Sequence, residues 1–345
     1  MRIAVVSPYD LDAAGGVQDQ VVRLTRWLRA AGHEAVPVGP GLHGPEGAVL
    51  VGSAVSVPVN RSRAPVALDP RAFAKVRSAL RGFDVVHVHE PFVPTVGPAA
   101  LRVSDAATVA TFHADPSPLV RRLYALGSAA ARRMLRSARV VTAVSPVAAG
   151  AVRPIAAVRI VPNGIDVAEY GHGVPVPGRV AFLGRDDQRK GLDVLLEAWP
   201  QVIGRVPQAT LHVIGAERPD ALAGVTFHGR VDDGTKRLLL AESEVFAAPN
   251  TGGESFGIVV LEAMASGCAV VASAIPAFVH VLSDAGELVA PGDIAGLADR
   301  LAALLTAPGR RNAMAERSRN RALAFDGSTV AALYLQAYED ALQTP

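Results

Sequence analysis

The sequence predicts an α/β protein of two doubly wound parallel-sheet domains facing a central cleft. Three observations predict it. Short apolar runs alternate with segments of helical spacing from Arg2 to Ala341, the pattern of repeated strand–helix–strand units. A chain of 345 residues is too long for one ordinary core, and its 50% hydrophobic, 19% charged composition is ample for two buried sheets. The alternation is interrupted at Gly171 to Pro177 (GHGVPVP), which reads as a linker, and again at Phe325-Asp326-Gly327. The predicted domains are therefore 1–170 plus 327–345 and 171–326, with the last helix, Ser328 to Ala341, packing back on the first domain.

The elements follow in order. Arg2 to Ser7 is a short buried strand; the Gly15-Gly16 loop leads into a helix from Val17 to Ala31, which Gly32 ends. Gly39 to Pro70, rich in Gly, Pro and Val, reads as a loop with irregular strands. Further strands are expected at Ala35 to Val38, Val85 to His89, Thr108 to Phe112, Val140 to Val144 and Val158 to Val161. A second series begins with strand Arg179 to Leu183 and helix Leu192 to Ile203, then strands Thr210 to Ile214 and Val225 to His228. It continues with a helix near Lys236, strand Val245 to Ala248, a helix from Gly257 to Ser266, and strands Ala269 to Ala272 and Glu287 to Val289. Helices at Ile294 to Leu305 and Arg310 to Leu323 close it. In such folds ligands sit beyond the carboxyl ends of the strands.

Composition removes several classes. The net charge of +2 marks no nucleic-acid binder, and no nucleic-acid partner is expected. The single cysteine, Cys268, excludes an internal disulfide and suits a reducing compartment. Met1-Arg2 runs straight into a strand, so no leader is expected. The longest apolar stretch, Ile258 to Leu282, is broken by Glu262, Ser266, Gly267, Pro276 and His280, so no bilayer-spanning segment is expected. Of 34 basic residues only Lys75, Lys190 and Lys236 are lysines; in so arginine-rich a chain, a lysine points to a need for a compact ammonium.

Four segments carry chemistry. In GGESFGIVVLEAMASG, Gly252 and Gly253 let backbone approach a ligand, and the N–H groups of Ser255 to Ile258 emerge from a helix N-terminus suited to phosphate. Glu262 lies about one and a half turns further on, where a carboxylate accepts hydrogen bonds from sugar hydroxyls. Phosphate donors beside hydroxyl acceptors, with Glu254 and Glu262 eight positions apart, describe a nucleotide-sugar site. LGRDDQRKG (Leu183 to Gly191) follows a strand and places Arg185 and Lys190 where fixed cations neutralise a diphosphate leaving group. Adjacent Asp186 and Asp187 in a basic loop make no metal site, and no metal is expected. YDLDAAGGVQ (Tyr9 to Gln18) places Gly15 and Gly16 before a helix, without the G-x-G-x-x-G spacing of a dinucleotide site. TFHAD (Thr111 to Asp115) puts His113 just past a strand, within reach of a sugar hydroxyl or a phosphate oxygen.

Together with HVHEP (His87 to Pro91), VPNGID (Val161 to Asp166) and GRVDDGTK (Gly229 to Lys236), these motifs resemble the retaining family 4 glycosyltransferases of the GT-B fold, two Rossmann-like domains around a cleft. SPYDLDAAGGVQ, PNTGGESFGIVVLEAMASG and RVDDGTK resemble most the actinobacterial phosphatidylinositol α-mannosyltransferases, which act on a membrane lipid with GDP-mannose. The resemblance implies an acceptor-binding first domain and a nucleotide-sugar-binding second one. Arg185 and Lys190 would bind the diphosphate, Glu262 the ribose, and Glu254 with the Ser255, Phe256 and Gly257 backbone the mannose. Val231, Asp233 and Lys236 would line the guanine pocket. Gly16 would approach the phosphate, and His113 would sit by the reacting sugar, with His113, Arg185, Lys190 and Glu254 as the catalytic set. Tyr9, Asp12, Gln18 and Asn60 match positions that shape the inositol pocket. No cofactor beyond the nucleotide-sugar co-substrate is implied.

Two departures bear on the acceptor. An arginine expected beyond Asn60 is replaced around Pro65, although Arg61 and Arg63 lie close by, and the loop between Arg185 and Lys190 is one residue shorter. A different nucleotide-sugar donor, or a soluble or polysaccharide acceptor, is the alternative. A catalytically silent sugar-nucleotide binder would lack some of Arg185, Lys190, Glu254, Glu262 and His113, all of which are present. Arg71, Lys75, Arg77 and Arg81, with Phe73, Val76 and Leu80, predict an amphipathic helix for an anionic phospholipid surface. The arginines at 121, 122, 132, 133 and 136 extend that basic face. The expected location is cytoplasmic, peripheral on the inner face of the cell membrane.

Overall fold

The computed structural model describes residues 1–13, 15–53, 55–59, 62–66, 72–103, 105–114, 122, 127–219 and 222–344. The chain forms two compact units, Met1–Gly164 with Gly327–Pro345, and Ile165–Asp326.

In the first unit the strands are β1 (Arg2–Val6), β2 (Glu34–Gly39), β3 (Val49–Leu50), β4 (Val55–Val59), β5 (Ser62–Val66), β6 (Val85–His89), β7 (Ala107–Phe112), β8 (Ala138–Ala143) and β9 (Arg159–Ile160). Seven of them form one sheet in the order β3-β2-β1-β6-β7-β8-β9, every pair parallel; β4 and β5 make a separate antiparallel hairpin. The strands can be almost wholly apolar because helices cover both faces of such a sheet. Ile3, Val5, Val85 and Val109 pack against Leu24 and Leu28 of the Gly16–Ala30 helix and against Tyr334 and Tyr338 of the final helix, Gly327–Gln343. That last helix returns to the first unit, as its sequence position predicts. Gly327 lies so near the Trp27 indole that a Cβ there would come within 2.2 Å of it.

In the second unit the strands are β10 (Val176–Leu183), β11 (Thr210–Ile214), β12 (Val225–Phe227), β13 (Ser243–Ala248), β14 (Ala269–Ser273) and β15 (Glu287–Val289). Their order is β12-β11-β10-β13-β14-β15, all parallel, the same arrangement as a Rossmann sheet. Its core gathers Trp199, Leu195, Leu211, Val245, Val271 and Leu301. The Ile258–Ser266 helix is buried from Val260 to Ser266 without a break, so both sides of it are packed.

Each sheet reverses its strand order once, between β1 and β6 and between β10 and β13. The carboxyl ends flanking such a switch point open into a crevice, because the chain leaves them in opposite directions. All four motif segments start from strands in or beside these positions.

Two boundaries differ from expectation. Residues 165–170 belong with the second unit: the Ile165 N–H donates to the Phe325 carbonyl at 3.1 Å, and Ile165 forms a parallel bridge with Asp326. The GHGVPVP segment is no linker at its end, since Val176 and Pro177 open β10. Pro177 has no N–H for a ladder, and the register against β13 shifts between Val176 and Val180. Gly178 takes φ +80° there and donates to Glu244 at 2.7 Å. The helices Val96–Val103, Ser128–Leu135, Pro146–Gly150 and Pro276–Leu282 were also not expected; each is eight residues or fewer.

Candidate functional site

In the second unit, the loops after β10 and β13 are fastened to each other. The Thr251 N–H donates to the Arg189 carbonyl at 2.9 Å. Gly191, at φ +70°, lies so close to Pro249 that a Cβ would meet its carbonyl oxygen at 2.0 Å. Arg189 grips Asp187 through Nη2 at 2.7 Å and Nε at 3.1 Å, and this partner holds the Asp187 carboxyl well below the usual carboxylate range. Asp186 is taken by Arg218 at 2.7 and 2.9 Å, with the same downward effect on its pKa. Both aspartates thus serve as braces for arginines. Among the described residues, no three His, Cys, Asp or Glu side chains converge to hold a metal ion.

The braces leave two cations at the loop. Arg185 is exposed, and Lys190 Nζ reaches Glu254 Oε2 at 2.7 Å, an oxygen also approached by Asn250 Nδ2 at 3.4 Å. Glu254 sits in a turn whose glycines take left-handed or similarly restricted conformations: Gly252 φ +151°, Gly253 φ +67° and Gly257 φ +102°. Gly257 is the N-cap of the Ile258–Ser266 helix and brings no capping side chain; the Val260 N–H donates to the Gly257 carbonyl at 3.0 Å, and the positive end of the helix lies at Ile258 and Val259. The Phe256 ring packs edge-on against Phe325, which fixes the turn.

Inside that helix Glu262 is only 5% exposed. Its Oε1 accepts from Lys236 Nζ at 2.8 Å and from the Tyr170 hydroxyl at 2.9 Å. Lys236 also pairs with Asp233 at 2.9 Å. Burial disfavours the Lys236 ammonium, but the two carboxylates outweigh it and raise its pKa. Val231 and Asp233 flank Asp232, whose carboxylate caps the Asp233–Ala241 helix by accepting from the Thr235 N–H at 2.9 Å. The second-unit residues expected at a donor site therefore form two charge pairs, Lys190–Glu254 and Lys236–Glu262.

In the first unit, Gly15 is extended and its Cβ position is filled by the Gln18 side chain, whereas nothing lies within 4 Å of that position at Gly16. Gly16 is exposed and opens a helix that no side chain caps. Tyr9 is half-buried, Asp12 exposed and Gln18 buried in and after the same loop. Asn60 lies outside the described residues, as do Arg61, Arg71 and Arg121. Gln20, which sequence reasoning passed over, exchanges two hydrogen bonds with the Gly164 backbone and so anchors the VPNGID segment.

His113 is buried at the end of β7. Its Nε2 lies 2.7 Å from His89 Nδ1, the two rings are stacked, and Asn163 also hydrogen-bonds the His113 ring. His87 completes the row, with Nδ1 2.8 Å from the Tyr338 hydroxyl and Nε2 2.6 Å from Thr111 Oγ1. Burial pushes His87 down to about 3 and His113 down to about 4, and holds His89 well below its ordinary value. The row is neutral at physiological pH. Glu90 accepts the backbone N–H groups of His113 and Ala114, and burial nevertheless pushes its carboxyl up to about 7.

Comparison with known proteins matches this architecture along the chain. Residues 14–169 fit the family model described as Glycosyltransferase Family 4, and residues 177–307 fit Glycosyl transferases group 1. The chain is 38% identical to the phosphatidyl-myo-inositol mannosyltransferase of Mycolicibacterium smegmatis, over 98% of this chain and 94% of that protein. It belongs to glycosyltransferase family 4. The protein of the same name from Mycobacterium tuberculosis is 36% identical over 98% and 97%. Among solved structures, Anabaena HepE in complex with UDP and glucose superposes with a TM-score of 0.75 at 19% identity, over 98% of this chain and 99% of that one. The fold of this family 4 glycosyltransferase is thus GT-B.

The amphipathic helix expected at Arg71 to Arg81 differs from expectation in one respect. In the Ala72–Ala79 helix and its end, Val76 and Leu80 are buried in the core, so Phe73, 43% exposed, is the apolar residue left outside. Lys75, Arg77, Arg81, Arg122, Arg132, Arg133 and Arg136 are exposed. No described helix is long and apolar enough to cross a membrane.

Proposed function

We propose that this glycosyltransferase moves mannose from GDP-mannose to the inositol of phosphatidylinositol, with retention, at the cytoplasmic face of a membrane. The observation that carries the reading is the match of nearly the whole chain, at 38% identity, to a protein named for that acceptor. The second unit supports a donor role: Arg185 and Lys190 take the diphosphate, Glu262 the ribose, and Val231, Asp233 and Lys236 the base. Glu254 and the backbone of Ser255 to Gly257 take the hexose. When the diphosphate arrives, Lys190 exchanges part of its hold on Glu254 for phosphate oxygens, and Glu254 turns to the sugar hydroxyls.

In the first unit, Gly16 meets the phosphate, His113 the reacting sugar, and Tyr9, Asp12, Gln18 and Asn60 the inositol. A same-face substitution needs no carboxylate nucleophile. The departing phosphate helps take the proton of the acceptor hydroxyl, while the cations stabilise the charge it gains. The exposed arginines and Lys75 of the first unit suit an anionic leaflet, each contributing about 1 kcal/mol near such a surface.

The test is incubation of the protein with labelled GDP-mannose and mixed phospholipids, followed by separation of lipids. Labelled mannosylated phosphatidylinositol is the expected product. Turnover on a soluble or polysaccharide acceptor, with no mannolipid, refutes the lipid assignment. Co-sedimentation with liposomes tests the surface: recovery that is equal with and without acidic lipid removes the membrane claim.

A further inference from the structure

We propose that Tyr170 is a positioning residue for nucleotide binding, its hydroxyl fixing Glu262 Oε1 so that Oε2 is presented to the ribose diol of a nucleoside diphosphate. The inference rests on the reading of Glu262 as the ribose acceptor.

Three features carry it. Both donors to Glu262, Lys236 Nζ at 2.8 Å and Tyr170 OH at 2.9 Å, land on the same oxygen, which leaves the other for a ligand. A lysine ammonium alone is a point charge on a flexible stem and would follow either oxygen, whereas a phenol held by its ring donates in one direction. The phenol also adds a hydrogen bond without a second positive charge, so the carboxylate keeps most of its strength as an acceptor.

The second feature is that Tyr170 is itself fixed. It is 2% exposed and ends the short 3₁₀ turn Val167–Glu169, its N–H bonded to the Val167 carbonyl at 3.1 Å. That turn is tied down at both ends. The Val167 N–H donates to Asp326 at 3.2 Å, and Glu169 pairs with Arg237 at 2.8 Å. The third feature is where Arg237 sits, next to Lys236 on the Asp233–Ala241 helix. The two donors to Oε1 therefore come from elements braced to each other, and the Glu262 helix is packed from Val260 to Ser266. A vicinal diol needs its acceptor in a defined orientation, and this brace supplies one.

The experiment uses the full chain, with calorimetry of GDP and of 2′,3′-dideoxy-GDP binding to wild type and to Tyr170→Phe. Phenylalanine keeps the buried ring and removes only the hydroxyl. Wild type should bind GDP more tightly than the dideoxy nucleotide. Tyr170→Phe should weaken GDP about tenfold, equivalent to about 1.4 kcal/mol, and leave dideoxy-GDP within twofold. In turnover assays the same change should raise the donor KM and leave kcat nearly unchanged. If wild type discriminates between the nucleotides and Tyr170→Phe binds GDP as well as wild type does, the inference fails and the ribose role of Glu262 stands. An equal loss for both nucleotides also overturns it, since the hydroxyl then acts on the fold rather than on the diol. A wild type that holds both nucleotides alike, or neither, refutes the ribose role and this inference with it.

Discussion

Glu90 holds His113 by its backbone. One carboxylate oxygen of Glu90 accepts the His113 N–H at 2.6 Å and the Ala114 N–H at 2.7 Å, so the chain leaving β7 is fixed where His113 begins. Glu90 itself takes φ +46°, a left-handed conformation uncommon outside glycine, and is buried. Such strain persists only where the surroundings over-determine it, and the two N–H bonds are part of that surrounding. Replacing Glu90 with alanine strands two N–H groups, at a cost of about 1–3 kcal/mol each if they stay dry. The expected result is a clear fall in melting temperature and at least a tenfold loss of kcat with the donor KM little changed. Glu90→Gln keeps a carbonyl acceptor and should stay within a few-fold of wild type. Steady-state kinetics with thermal melts decides it; an alanine variant as active as the glutamine one removes the role.

Acid should destabilise the first unit through its histidines. His87, His89 and His113 have folded-state pKa values far below the ordinary 6.5, because burial penalises the imidazolium. Below pH 6.5 the unfolded chain takes up protons that the folded chain refuses. Their stabilisation is therefore complete above about 6.5 and drains away as pH falls toward 4, by up to about 1.4 kcal/mol per histidine per pH unit. Glu90 opposes them between 7 and 4.5: its carboxyl is raised, so the folded chain binds that proton first and gains stability on acidification. Glu90→Gln removes the opposing contribution. Its stability should fall more steeply than that of wild type from pH 7 to pH 5, as read from urea midpoints at each pH. Parallel curves would show that Glu90 does not titrate in that range.

What the sequence made legible was local. β6, β11 and β15 fall on the expected residues because each is a short apolar run bounded by turn formers, and the Gly257–Ser266 helix was readable from its own spacing. Glu254, Glu262, Lys190 and Arg185 were readable as candidates because one loop or one helix carries them. Tyr170 was not, since its partner Glu262 is 92 residues away and no periodicity links the two. The pairing of Lys190 with Glu254 and the His87–His89–His113 row share that origin: strands adjacent in the sheet bring together residues remote in the chain. GHGVPVP read as a linker because glycine and proline report missing helix, and a bulged strand start shows the same composition. Val76 and Leu80 followed helical spacing correctly, but spacing alone does not say whether an apolar face meets a core or a membrane.

Gly191 tests how the loops after β10 and β13 are joined. It is at φ +70° and its missing Cβ leaves room for the Pro249 carbonyl, which a methyl group would meet at 2.0 Å. Gly191→Ala therefore adds left-handed strain, about 1 kcal/mol or more, to a clash with backbone that forces the two loops apart. Lys190 and Glu254 lie on opposite sides of that junction. The expected outcome is a donor KM raised by about tenfold or more and a lowered melting temperature. Gly204→Ala, in a helix with open space at the Cβ position, serves as the control and should leave the donor KM unchanged and the melting temperature equal or slightly raised. Equal behaviour of the two variants would mean the loops tolerate separation.

The Lys190–Glu254 pair should show non-additive kinetics. At 2.7 Å and with each side chain about one-fifth exposed, the two are coupled strongly enough to measure. On the proposed function, Lys190→Ala removes a cation from the leaving diphosphate and leaves Glu254 without its lysine, an anion facing another anion. Its loss of kcat should approach 10²–10³, comparable to losing a fixed group that stabilises transition-state charge. Glu254→Gln relieves Lys190 of its partner but weakens the grip on the hexose, so a loss near tenfold is expected. In the double variant the repulsion between Glu254 and the diphosphate is gone. The combined loss should therefore fall short of the product of the single losses by about fivefold or more, a coupling of about 1 kcal/mol or above. Measuring kcat/KM for the four proteins at one salt concentration decides the point. Multiplicative losses would mean that the ion pair of the free protein has no part in handling the leaving group, and Lys190 would then have to act from a position independent of Glu254.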